Sequence, residues 1–209
     1  AVCASLGDDA LLVLTADHGC GFLGPRYARG GYGHDLSTIT LHVPMVFEAS
    51  FLTPRKVSSL CSTLDLVPTL RNFLRMPELA GLRGYSLVPE LMEGRTARPQ
   101  YTFHQQYLPE RYASQEDPLV RVSVRTPRYN YTLDRRDQTE GLWDHQADYA
   151  EARDLTRDGS APPDVREELA RLLAAFVYEA ERTMARPKEA KPKAPAVGAS
   201  ALPANTRPQ

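Results

Sequence analysis

Residues 10–16 read ALLVLTA, apolar at every position but Thr15. A run without polar alternation is expected of a strand covered on both faces, as in the parallel sheet of an α/β core. A second run, VPMVFEA over 43–49, is entered through Pro44 and predicts another core strand. Between the two, residues 17–35 are dense in glycine and read as a long loop, followed by a short helical or irregular turn over 35–41. Loops of that length inside compact domains are usually functional. The segment KVSSLCSTLDLVPTLRNFL, 56–74, passes from an extended piece into a helix: Asp65 is placed to N-cap it, Pro68 fits its first turn, and Leu70, Phe73 and Leu74 form an apolar stripe. A connection punctuated by glycine and proline follows, with a short helix near 86–92.

The texture changes near residue 99. QYTFHQQY, LVRVSVRT, YNYTLDR and GLWDHQ are short, aromatic or β-branched and partly alternating, which predicts a small antiparallel sheet. After it, Pro162 and Pro163 open a helix on which Val165, Leu169, Leu172, Leu173, Phe176 and Ala180 share one face, expected to pack on that sheet. From Arg186 onward the chain is rich in Pro, Ala and Lys without periodicity, and residues 186–209 are expected to be disordered. The fold class expected is α/β, with a core region over 1–98 and an antiparallel-sheet subdomain with its long helix over 99–185.

A chain of 209 residues fits one large domain or one domain with an appendage. With 25 Lys and Arg against 26 Asp and Glu, its charge gives no reason to expect nucleic acid or an anionic membrane as partner. Cys3, Cys20 and Cys61 share no C-x-x-C spacing, so they suggest neither a zinc knuckle nor a disulfide framework. No apolar run approaches the roughly 18 residues of a membrane helix, and AVCASLGDD lacks the parts of a secretory signal. The first residue is Ala and a core strand follows almost at once, so the sequence is expected to begin inside a larger protein.

Candidate chemistry gathers where the first strand ends. Asp17 and His18 sit at the carboxyl end of a predicted core strand, where ligands of parallel α/β sheets bind, and Gly19 permits a sharp departure. An oxygen and a nitrogen donor side by side suit a divalent cation; the competing reading is a turn Asp beside a surface His. His34, at the far end of the glycine-rich loop, is placed to return over the same crevice as ligand, general acid or anion donor, or to be an exposed loop residue. Arg26 and Arg29 in that loop suit an anionic ester, or are solvated. His42 reads as structural, and His104 and His145 as weaker candidates, with His104 reaching a substrate pocket only if its strand borders one.

Taken in order, LLVLTADHGCGFLG, GHDLSTITLHVPMVF, STLDLVPTLRNFL with GYSLVPEL, RVSVRTPRYNYTL and GLWDHQADYAEARDL resemble the C-terminal half of the sulfatase family of the alkaline-phosphatase superfamily. Each segment is degenerate alone, and their shared order over residues 10–177 carries the resemblance. It departs from the family pattern at Cys20, where a Glu commonly follows the Gly, and at Trp143 and Tyr149, where a Tyr and a Pro are common. The resemblance implies the C-terminal part of a mostly parallel sheet with flanking helices over 1–98, and a metal-dependent hydrolysis of ester bonds, sulfate esters first. Asp17 and His18 would then be two ligands of one divalent cation, Ca²⁺ first, with Mn²⁺, Mg²⁺ or Zn²⁺ also compatible with a single imidazole. His34 would be catalytic, and Arg26, Arg29 and His104 would contact the anionic substrate. The nucleophile and two further acidic ligands belong to an N-terminal half that this sequence lacks, so the isolated chain is expected to turn over nothing. Phosphoric ester or phosphonate hydrolysis, phosphoethanolamine-type transfer, and a non-catalytic binding module are the alternatives. The family also makes a periplasmic or extracellular site an expectation.

Overall fold

The computed structural model describes residues 7, 9–21, 31–32, 35–96, 98–107 and 119–184. Strand β1 (Leu12–Thr15) leads to the short β2 (Cys20–Gly21), which pairs with β3 (Gly31–Tyr32); helix α1 (Thr38–Leu41) follows, and β4 (Met45–Glu48) returns beside β1. The two apolar runs therefore do become partner strands. Their pairing is antiparallel, with Leu14 opposite Val46. Every strand pair among the described residues is antiparallel. An apolar run reports burial and carries no information on strand direction, so the two runs need not be parallel to each other within the mixed α/β fold expected. Nor are both faces covered: Leu14 is 58% and Val46 49% exposed.

A 3-10 turn (Thr63–Asp65) precedes α2 (Leu66–Phe73). Asp65 occupies the N-cap position, but its side chain makes no cap bond to α2. It accepts instead from the backbone of Ser62 and of Tyr85, both at 2.8 Å, and from Arg98 Nη1 at 2.6 Å. Ser62 caps the segment, accepting from the Leu64 amide. The expected cap is thus displaced by one turn, because a buried guanidinium competes for the carboxylate. Helix α3 (Val88–Glu93) ends on Gly94 at φ +71°, a left-handed terminus suited to glycine. Its Glu90 stands 2.9 Å from Arg98 Nε, completing an Asp65–Arg98–Glu90 cluster whose side chains are about 5% exposed or less.

The second half is a four-stranded antiparallel meander, β5 (Thr102–Tyr107), β6 (Leu119–Arg125), β7 (Tyr129–Asp134) and β8 (Thr139–Asp144), in that spatial order. One face carries Val122, Val124, Tyr131 and Leu142 into a sealed core. Helix α4 (Pro163–Met184) covers that face, beginning at a proline whose missing N–H costs nothing in the first turn. Leu169 and Leu173 join the core, Val165, Leu172 and Phe176 pack at its margin, and Phe176 stacks on Phe103 at 4.3 Å. Each such side chain withdrawn from water contributes about 1.5–3 kcal/mol. The expected sheet, helix and contact stripe are all present; the expected disordered tail lies outside the described residues.

Glu151, 1% exposed and at φ +50°, joins the two halves. Its Oε1 accepts from the Thr38 amide at 3.1 Å, the Thr38 hydroxyl at 2.6 Å and Asn130 Nδ2 at 3.0 Å. Asn130 Nδ2 also donates to the Leu36 carbonyl at 2.8 Å. Arg125 Nη1 donates to the Thr38 hydroxyl at 2.8 Å and stands 3.8 Å from Glu151. A left-handed non-glycine residue costs of order 1 kcal/mol or more, and here the conformation aims a carboxylate at the first turn of α1. The meander thereby holds α1, and α1 is the element against which the Asp-His-Gly turn packs.

Candidate functional site

Asp17 and His18 leave the end of β1 into a turn fixed by backbone contact with α1. The Gly19 amide donates to the Thr40 carbonyl at 2.8 Å. A Cβ at Gly19 would lie 2.0 Å from the Ile39 carbonyl oxygen, a clash with backbone that nothing flexible relieves. Glycine is needed here for close approach to α1; it is not among the residues at positive φ. Within the turn the His18 amide donates to Asp17 Oδ1 at 2.9 Å. His18 Nδ1 lies 2.8 Å from the Gly19 carbonyl, and because a carbonyl only accepts, Nδ1 carries the proton. That leaves Nε2 as the basic nitrogen, turned toward Asp17 Oδ2 at 3.7 Å. A backbone acceptor on one imidazole nitrogen is the common support of a histidine that ligates through the other.

The pair opens on a cleft of about 920 Å³. His42, His104, His145, Arg125 and Tyr149 line the same space. His42 Nδ1 meets the Tyr149 hydroxyl at 3.1 Å. His104 lies at the β5–β6 pair, opposite Ser123, with its Nε2 2.9 Å from the Thr102 hydroxyl. Burial, reinforced by the Arg125 charge, pushes the His104 imidazole down to about 4. His145 is lowered by the same two causes, partly offset by its contact with the Thr126 carbonyl. Burial also works against the Arg125 guanidinium, with Glu151 and Tyr149 opposing. At neutral pH the cleft therefore presents two uncharged imidazoles beside a cation.

Of the residues singled out from sequence, Asp17, His18 and His104 come together in one cleft. His34, Arg26 and Arg29 lie outside the described residues. His42 and His145, read as structural or weak, line the cleft as well. Arg125, which opens the RTPRYNY segment, carries no local signal of its place in the cleft, and Glu151, which anchors α1, sits in a polar turn without a local signal of burial. Among the described residues, no group of three or more His, Cys, Asp or Glu could hold a metal ion.

No family model matches the chain. The Delta 4,5-hexuronate-2-O-sulfatase of Bacteroides thetaiotaomicron is 29% identical over 158 residues, which cover 73% of this chain and 31% of that protein. Among solved structures, a 2-O GAG sulfatase superposes with a TM-score of 0.68 at 25% identity, covering 86% of this chain and 38% of the other. The phosphonate monoester hydrolase of Silicibacter pomeroyi shares the fold, with a TM-score of 0.63 at 24% identity over 84% of this chain and 35% of its own. The chain spans about a third of the length of these proteins. In the order of its sequence segments and in its fold, the chain is similar to sulfatases over the part that it spans.

Proposed function

We propose that this chain supplies one wall of a metal-dependent sulfate-ester hydrolase site, with Asp17 and His18 contributing two ligands to a divalent cation and the cleft receiving a sulfated sugar. The observation that carries this reading is the Asp17–His18 pair itself: a carboxylate and an oriented imidazole 3.7 Å apart, at the end of a strand and at the mouth of a large cleft. The donor set fits the group, since one oxygen and one nitrogen suit Ca²⁺, Mn²⁺, Mg²⁺ or Zn²⁺. When bound, such a cation neutralises the ester anion and lowers the pKa of an attacking oxygen. The chain's own residues hold the ligands. Gly19 seats the turn on α1, the Gly19 carbonyl fixes the His18 tautomer, and Glu151 fixes α1. The sugar is suggested by the names of the relatives, both sulfatases acting at a 2-O position.

Two donors bind a divalent ion weakly, so the test is a titration of the 209-residue chain with Mn²⁺ followed by water-proton relaxation. We expect a single weak site whose affinity drops at least about tenfold in Asp17→Ala and in His18→Ala, by analogy with the loss of a ligand's supporting contacts. Mn²⁺ binding that is unchanged in both variants would overturn the assignment.

A further inference from the structure

Tyr149 lines the cleft that also holds Asp17 and His18, and it is 54% exposed. It stands at one of the positions where the sequence departs from the family pattern, a tyrosine where a proline is common, so the resemblance assigns it no role. The turn that carries it is firmly built. The Asp148 amide donates to the Asp144 carbonyl at 2.8 Å, the Glu151 amide donates to the Asp148 carbonyl at 2.9 Å, and the Asp148 carboxylate accepts from the Arg153 amide at 2.8 Å. Two residues on, Glu151 is buried against Thr38. The Tyr149 hydroxyl meets His42 Nδ1 at 3.1 Å, and the two rings lie 5.9 Å apart at an angle of 59°. With its hydroxyl engaged and its backbone fixed, Tyr149 offers the cleft an oriented aromatic ring. Val46, 49% exposed, adds apolar surface to the same cleft. Apolar and aromatic walls with a few convergent polar groups are the composition of a small-molecule site.

We propose that Tyr149 is the platform on which the sugar ring of the substrate stacks. This rests on reading the cleft as a sulfated-sugar site, and it adds a contact that does not depend on charge. A pyranose in its chair form is amphipathic: hydroxyls project around its edge, while axial C–H groups make a flat apolar face that packs on an aromatic ring. The edge hydroxyls suit the uncharged imidazoles of His104 and His145 on the walls of the same cleft. Tyr149 thus selects for ring shape, whatever anionic group the sugar carries. Phenylalanine would keep the ring and lose the His42 contact, and alanine would lose both, which makes the pair of substitutions informative.

The test is saturation-transfer NMR on the 209-residue chain with methyl β-glucoside and with sorbitol, which carries comparable hydroxyls on an open chain without a flat face. We expect saturable binding of the glucoside, strongest transfer at its axial C–H protons, and an affinity at least about fivefold above that for sorbitol, the scale of one ring face withdrawn from water. Tyr149→Ala should lose that preference, and Tyr149→Phe should keep most of it. Equal binding of glucoside and sorbitol, a preference intact in Tyr149→Ala, or one lost equally in Tyr149→Phe would each overturn the proposal. Tyr149 is more exposed than buried, so both variants should fold, as circular dichroism checks, and the wild-type comparison of the two probes stands in any case. Glucose-6-sulfate added with Mn²⁺ tests the reading beneath the proposal. Binding unchanged in Tyr149→Ala would remove the stacking alone, whereas no binding to the wild type would remove the sulfated-sugar site itself.

Discussion

At the scale of single residues, Asp17 and His18 were legible because residue type and position coincide: two donors directly after a core strand. Arg125 and Glu151 were not, because their meaning depends on which other element they meet. Glu151 shows this best, since ADYAEARD reads as a solvated turn until the meander folds it onto Thr38. Gly19 was legible as a glycine position, but for a different reason, close approach to Ile39 and not a left-handed turn. His104 carries a measurable consequence. Its folded pKa, about 4, lies below the ordinary 6.5. Between those values the unfolded chain takes up a proton that the folded chain refuses, so stability is full above pH 6.5 and falls as the pH drops toward 4. That difference sets a ceiling of roughly 3 to 4 kcal/mol. Urea unfolding at pH 7 and pH 4.5 should show this loss in the wild type and a clearly smaller one in His104→Gln. A parallel loss in both would assign it to other groups.

At the scale of elements, patterning succeeded where one element decides its own fate. The alternation of β6 and β7 and the apolar stripe of α4 each specify a face, and those faces meet in a sealed core. Prediction weakened where two elements compete for one group, as at Asp65. The carboxylate that local rules assign to the start of α2 is taken by Arg98, which also holds Glu90 of α3. This cluster locks α2, α3 and the approach to β5 together. Removing its single cation would leave two buried carboxylates without a counter-charge, Asp65 keeping only its two backbone N–H donors, a defect worth about 3–5 kcal/mol. Arg98→Ala should lose that much in denaturant unfolding. Arg98→Lys should recover part of it, since a lysine restores charge without the two-sided geometry. A loss under about 1 kcal/mol in Arg98→Ala would mean that water reaches the carboxylates and that the cluster adds little.

At the scale of the whole molecule, the two halves differ in how completely they bury what their sequences offer. The meander and α4 enclose Val122, Val124 and Leu142 fully. β1 and β4 pair only with each other among the described residues and leave Leu14 and Val46 largely exposed. The apolar runs that announced these strands thus exceed the cover that the described residues provide, and strand direction was never written in them. The Asp17–His18 turn hangs from this thinner half, tied to the thicker one through α1 and Glu151. Local opening free energy follows buried apolar contact and the number of ladder partners. In the 209-residue chain, amide exchange should therefore be slower in Val122, Val124 and Tyr131 than in Val13 and Phe47, by about two orders of magnitude or more. Glu151→Gln removes the charge that anchors Thr38 and should speed exchange around Thr40 and Gly19 while sparing β6 and β7. Uniform protection across both halves would show that the strand pair draws its stability from the meander, and that Asp17 and His18 stand on a single cooperative unit.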